Sequence, residues 1–167
     1  MRSFWILPVL LVVFAAPPAL AQNDSCAEPA HAGVDWRRCY HDGRDLTQND
    51  LSAANLREAT FQRSDLSGSN LKGANAYRAK FISAVLKNVS FEGADLIEAD
   101  FTKADLTGAS LKGADLRRAR FYRATLKGAD LTGARLTGAD FLYADLTGAR
   151  WTDGQHVCAE GSLGQCN

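Results

Sequence analysis

Few side chains in this 167-residue chain have the types or spacing for chemistry. They are four cysteines, three histidines, a serine that follows a glycine near the C-terminus, and an Asp or Asn that recurs at many of the places five residues apart. Cys26, Cys39, Cys158 and Cys166 suit either disulfides or a metal, with His41 and His156 as further ligands, but no C-x-x-C pair is present. His31, His41 and His156 stand near the two ends of the chain, away from any obvious nucleophile. Ser162 follows Gly161 without the strand-turn-helix context that a nucleophile elbow requires. The recurring carboxylates arrive singly, five apart, and form no EF-type calcium loop. They are expected to serve as hydrogen-bond partners along ladders. No catalytic group, cofactor or bound metal is expected, because no convergent constellation of different groups is visible.

The opening segment says where such a chain works. Arg2, the apolar stretch Phe4 to Ala16, and the small-x-small signal Ala19-Leu20-Ala21 have the pattern of a secretory leader, 1–21, cleaved so that the mature chain begins near Gln22. The apolar stretch, closed by Pro17-Pro18, is short of the roughly 20 residues a spanning helix needs. Membrane insertion of the mature chain is therefore not expected, and the absence of a Cys after the cleavage signal argues against a lipid anchor. A periplasmic or secreted location follows, and an oxidising compartment favours disulfides over metal.

Charge excludes other classes. Basic and acidic residues balance at 19 each, giving neither a basic surface for nucleic acid nor an acidic one that mimics it. Between Arg44 and Trp151 there are 16 basic against 13 acidic residues, so the middle of the chain is slightly basic.

The elements that position these side chains follow from a period of five. From Leu46 to Trp151 every fifth residue is Leu, Phe or Trp, except Ala76, through 22 cycles without an insertion. Two places before it stands Ala in every cycle from Ala94 to Ala149, and the unit A-D-L-T-G is intact at 104–108 and 144–148. Residues five apart on an α-helix differ by about 140°, and on a straight strand they alternate faces, so neither can bury this pattern. A three-residue extended wall with Ala and Leu inward and Asp outward, then a two-residue corner, can. Gly at the second corner place, as in Gly108 and Gly148, suits a turn with positive φ. Phe61, Phe81, Phe101, Phe121 and Phe141 recur every 20 residues, so the chain returns to one face every fourth unit. The expected fold is all-β, a quadrilateral parallel β-helix of about 5.5 coils.

The run from Arg44 to Trp151, with its A-(D/N)-L-x-x units, resembles the pentapeptide-repeat family. That resemblance implies a right-handed coil. The tail, with Asp153-Gly154 and Cys158-Ala159-Glu160-Gly161-Ser162, resembles the C-terminal extension of exported bacterial members. Arg44, Asn49, Ala76 and Val89 depart from the expected core residues. Some cytoplasmic family members act as negatively charged DNA mimics that bind DNA gyrase; the slightly basic repeat region and the leader speak against that role here.

Since the ends of a solenoid lie too far apart for a bridge of about 7 Å, the pairs Cys26 with Cys39 and Cys158 with Cys166 remain. These tied segments, 22–43 and 152–167, are expected to cap the repeat domain 44–151 at its two ends, where an open coil exposes core and backbone.

Corner residues sort by wall. Two walls have small corners, among them Thr107, Gly108, Thr147 and Gly148, then Gly73, Gly93, Gly113 and Gly133. The other two are bulky: Arg57, Tyr77, Arg78, Ile97, Arg117 and Arg118, then Arg63, Ile82, Lys103, Tyr122, Arg123, Leu142 and Tyr143, with Lys80 and Arg120 between them. Arg and Tyr enrich protein interfaces. Tyr77, Arg78, Ile82, Arg118, Tyr122, Arg123, Leu142 and Tyr143 are therefore the candidate interaction surface, for an unknown protein partner or for self-association, with an envelope polyanion as the alternative.

Overall fold

The computed structural model describes residues 24–167, so the expected leader, 1–21, lies outside the described residues. A short 3-10 helix, Asp24–Ala27, leads into the coil. From Asp35 to Asp130 every fifth residue forms a parallel bridge to the residue 20 places on, which gives four ladders ending at Arg135, Asp140, Asp145 and Arg150. The first runs through Asp35, Asn55, Asn75, Asp95, Asp115 and Arg135, and the second through Tyr40, Thr60, Lys80, Asp100, Arg120 and Asp140. The third runs from Asp45 to Asp145 and the fourth from Asp50 to Arg150.

Each wall contributes one bridging residue because the chain turns immediately on either side of it. The turn is closed by the Ala amide bonding the carbonyl three residues back, as in Ala109 N to Leu106 O at 3.0 Å. The second corner residue has positive φ in every unit from Gly33 to Gly148, the type II geometry. Successive coils are joined by backbone bonds such as Leu106 N to Thr125 O at 2.7 Å and Thr125 N to Ala104 O at 2.9 Å.

The outward carboxylates serve mainly the corner of their own unit. Asp105 Oδ1 accepts the Thr107 amide at 3.0 Å and its hydroxyl at 2.6 Å, and Asp45, Asp65, Asp100, Asp130, Asp140 and Asp145 accept in the same way from the amide two residues on. The expected ladder bonding is seen between Asp50 and Asn70, at 3.0 Å, and where an arginine stands one coil on, with Arg120 donating to Asp100 at 3.2 Å and Arg135 lying 3.3 Å from Asp115. The nearer amide wins because a short side chain reaches two residues along its own chain more readily than one strand spacing away, about 4.8 Å.

The core is a column of aromatic rings. Phe61, Phe81, Phe101, Phe121 and Phe141 stack at centroid spacings of 5.2, 5.1, 5.0 and 4.8 Å. Phe91 enters edge-on between Phe81 and Phe101, at 5.6 and 5.8 Å. Ala76, the small exception in the Leu pattern, is fully buried in the same core.

The coil begins before the expected boundary at Arg44. Trp36 and His41 occupy the slot that Leu or Phe fills elsewhere and are fully buried, so much of 22–43 is the first coil and not a separate cap. A five-residue search for Leu or Phe misses them because their side chains differ while their places do not. Arg44 and Asn49, in contrast, are not core residues. The disulfide Cys26–Cys39, with Cα atoms 5.4 Å apart, ties the short helix to this coil, and Trp36 donates its indole N–H to Glu28 O at 3.1 Å. At the other end Cys158–Cys166, 4.8 Å between Cα atoms, closes a tail that pairs antiparallel with the third and fourth ladders, Leu163 with Asp145 and Val157 with Arg150. No group of His, Cys, Asp or Glu among the described residues has the arrangement to hold a metal ion.

Candidate interaction surface

Corners expose the side chains that distinguish one coil from the next. The second residue of each corner carries positive φ, a conformation costing about 1 kcal/mol or more for a residue with a Cβ. Glycine would avoid that cost everywhere, and its distribution is uneven. At the corner after the first ladder the places are Arg38, Glu58, Arg78, Glu98, Arg118 and Gly138; after the second they are Gly43, Arg63, Ser83, Lys103, Arg123 and Tyr143. Each has one glycine. After the third ladder only Gln48 and Asn88 replace glycine, and after the fourth only Ala53. Backbone strain is thus concentrated on the two bulky corners, and each needs a reason.

For the first corner the reason is structural. Its second places alternate Arg and Glu, so charges of opposite sign lie one coil apart: Arg38 Nε meets Glu58 Oε2 at 2.8 Å, Arg78 Nε meets Glu98 Oε2 at 2.7 Å, and Arg118 reaches Glu98 at 3.6 Å. The Arg78 hydrogen bond is the main influence holding the Glu98 carboxyl below its usual range. Tyr77 lies under two guanidiniums, Arg57 at 4.7 Å and Arg78 at 4.9 Å from its ring centroid. Arg117 is held by Asp115 at 2.8 Å, which depresses that carboxyl in turn. Two open grooves follow this corner, of about 380 Å³ beside Cys26, Arg38 and Arg57 and about 450 Å³ beside Tyr77, Ile97 and Arg118. The charges lining them are largely neutralised within the coil.

The second corner differs. Arg63, Lys103 and Arg123, with Lys80 on the adjoining ladder, have no carboxylate within ion-pair distance among the described residues. The lysines of the small corners are paired: Lys72 with Glu92, Lys87 with Asp105, Lys112 with Asp130 and Lys127 with Asp145. Beside the free cations lie Ile82 and Tyr122, half-buried, and Leu142 and Tyr143, which are 52% and 61% exposed. Arg123 sits 5.2 Å from the Tyr122 ring and 5.9 Å from that of Tyr143, and the two tyrosines meet edge to face at 5.8 Å. The result is a strip of unneutralised positive charge ending in an aromatic and apolar cluster.

The model of pentapeptide repeats matches residues 50–88, 77–113 and 114–150, in eight copies. The chain belongs to the pentapeptide-repeat family. No curated protein matches it. Among solved structures it resembles HetL, a pentapeptide-repeat protein involved in heterocyst differentiation regulation from the cyanobacterium Nostoc sp., with 34% identity over 74% of this chain and a TM-score of 0.66. The likeness spans 62% of HetL's length. Rfr23 from the cyanobacterium Cyanothece, at 23% identity, 63% of this chain, 85% of that one and a TM-score of 0.51, shares the fold. So does QnrB1, a plasmid-mediated fluoroquinolone resistance protein, at 20% identity, 71% and 67% coverage and a TM-score of 0.52. The pentapeptide-repeat neighbours imply a right-handed β-helix for this chain too.

Within this family fold the expected surface divides in two. Tyr77, Arg78 and Arg118 belong to the ion-paired first corner, while Ile82, Tyr122, Arg123, Leu142 and Tyr143 gather at the second. Sorting corners by size alone does not separate them. The signal that does is the alternation of sign at 20-residue intervals, Arg38, Glu58, Arg78, Glu98, Arg118, visible once the length of a coil is known.

Proposed function

We propose that this chain is an exported, non-catalytic scaffold of the bacterial envelope, a four-sided rod with about 5.5 coils across residues 44–151, whose second corner docks a partner protein. The observation that carries the reading is that Arg63, Lys103, Arg123 and Tyr143 occupy positive-φ places where glycine would serve the backbone better, and no ion pair within the rod accounts for them. Strain retained at Arg63 and Lys103 without a partner inside the rod points to selection by something outside the molecule, whereas Arg123 and Tyr143 meet each other and Tyr122. Tyr and Arg beside exposed Leu supply the anchors such contacts use. The disulfides fit an oxidising compartment.

Replacing Tyr122 by Thr and Arg123 and Tyr143 by Gly leaves a corner like its small neighbours. Mature protein immobilised in periplasmic extract should capture a defined partner that this variant loses, while Lys112→Ser with Lys127→Ser keeps it. Equal capture by parent and both variants would remove the reading. The unneutralised cations favour one second reading, binding of an anionic envelope polysaccharide. Retention on a sulfated-glycan resin that falls steeply with salt, without protein capture, would select it.

A further inference from the structure

Of the two grooves along the first corner, the one of about 380 Å³ near the N-terminal end has half of a disulfide in its wall: Cys26 lines it together with Arg37, Arg38, Arg57 and Glu58. The bridge is asymmetric. Cys26 is only partly buried, whereas its partner Cys39 is fully buried. Neutralisation is incomplete at this groove. Arg37 is held by Asp35 at 2.7 Å and Arg38 by Glu58 at 2.8 Å. Arg57, half-buried and 4.7 Å from the Tyr77 ring centroid, has no carboxylate within ion-pair distance among the described residues. Three guanidiniums thus face two carboxylates. Arg37 donates to Asp35 through Nε and Nη2, and Arg38 to Glu58 through Nε, so the remaining terminal N–H groups of both are free to meet an anion. The other bridge, Cys158–Cys166, lines neither groove and has Glu160 two residues from Cys158.

We propose that Cys26 is a thiol-exchange site for a small thiol that carries a carboxylate or sulfonate, the anionic group docking on Arg57 and its neighbours. The incoming thiolate attacks Sγ of Cys26, and a new S–S bond forms there. The bond to Cys39 breaks with its electron pair leaving on Cys39 Sγ, which takes a proton from water; one disulfide is exchanged for another, with no net oxidation or reduction. Access selects the sulfur that is attacked, which favours Cys26 over the buried Cys39. The guanidiniums concentrate an anionic thiol in the groove and raise its thiolate fraction. The released Cys39 thiol is a small apolar group and suits its buried place. After exchange the short helix Asp24–Ala27 loses its covalent tie to the first coil and keeps the bond from Trp36 to Glu28 O nearby. This end of the rod is thereby the part that responds to thiols in its compartment. The site is independent of partner docking along the second corner.

Timed exchange on the oxidised protein, quenched by alkylation and read by peptide mass, follows both bridges in one sample. The probes are 2-mercaptoethanesulfonate, which is anionic, neutral 2-mercaptoethanol and cationic cysteamine. Dividing the rate at Cys26–Cys39 by that at Cys158–Cys166 removes the intrinsic reactivity of each thiol. This ratio should be about tenfold higher with the anionic than with the cationic thiol, the low end of what a charged cleft supplies. Molar salt should bring both toward the neutral value, and the adduct should map to Cys26. Arg57→Gln should reduce the anionic preference and leave the ratio for 2-mercaptoethanol unchanged. If the substitution loosens the coil instead, all three thiols gain alike, so the preference among them still reports the groove. Ratios independent of thiol charge, an adduct on Cys39, or a preference undiminished by Arg57→Gln would each overturn the proposal. Partner capture by the second corner is unaffected by any of these outcomes, so the two readings fail separately.

Discussion

Truncating Phe101 to Ala tests the coil at its centre. Its ring is fully buried and stacks between Phe81 at 5.1 Å and Phe121 at 5.0 Å, with Phe91 edge-on at 5.8 Å. Removal of a buried Phe side chain costs about 3–5 kcal/mol through lost transfer energy and the cavity left behind. Ring pairs lost on both sides add to it, each worth about 0.5–1.5 kcal/mol beyond area. A value of about 4 kcal/mol corresponds to a drop in melting temperature of roughly 8–16 °C for a chain of this size. The column supplies its own comparison in Phe141, which is partly exposed and has Phe121 on one side at 4.8 Å and Trp151 on the other at 5.8 Å. With less burial to lose, Phe141→Ala should cost about half as much, about 2 kcal/mol. Urea titration followed by circular dichroism at a single protein concentration measures both. An unchanged midpoint for Phe101→Ala, or a loss no larger than that of Phe141→Ala, would refute the continuous 20-residue column.

Two further expectations concern the backbone and the first coil. Gly128 has φ +65° and open space around an added Cβ, so Gly128→Ala should cost about 1 kcal/mol from backbone strain alone; Arg63→Gly, at φ 57°, should leave denaturation within about 0.5 kcal/mol of the parent or raise it. A larger loss at Arg63 would mean that the side chain supports the rod. His41 is buried between Trp36 and Phe61 with neither ring nitrogen bonded among the described residues, and burial, aided by Arg44 and opposed by Asp42, pushes its pKa down from 6.5 to about 4. The unfolded chain therefore binds a proton that the folded one refuses, so stability falls as pH drops from about 6.5 to about 4, by at most roughly 3 kcal/mol. Replacing His41 by Phe should flatten that window in pH-dependent melting. It should leave the loss at still lower pH, where Asp45, Asp105 and Asp115, whose carboxyl pKa values the fold lowers, take up protons. A slope between pH 4 and 6.5 equal to that of the parent would contradict the assignment.

The period of five, the inward Ala and Leu, the outward Asp and the 20-residue return were all legible in the amino-acid sequence. The same local minimum is chosen at each of 22 units, so one rule is written 22 times and survives exceptions such as Ala76. The Arg and Glu of the first corner were legible in principle, since the return length places residues 20 apart side by side; size and charge counted wall by wall do not show which cations are neutralised and which stand free at Arg63, Lys103 and Arg123. Only the tertiary structure decided the ends. Trp36 and His41 enter the coil because their place in the turn, not their resemblance to Leu, aligns their backbone with Asn55 and Thr60 above them. The tail covers two ladders and leaves two open because it is an unrepeated segment. Its position depends on where Cys158–Cys166 and the bridges of Val157 and Leu163 hold it against the last coil, a long-range register that no local spacing encodes.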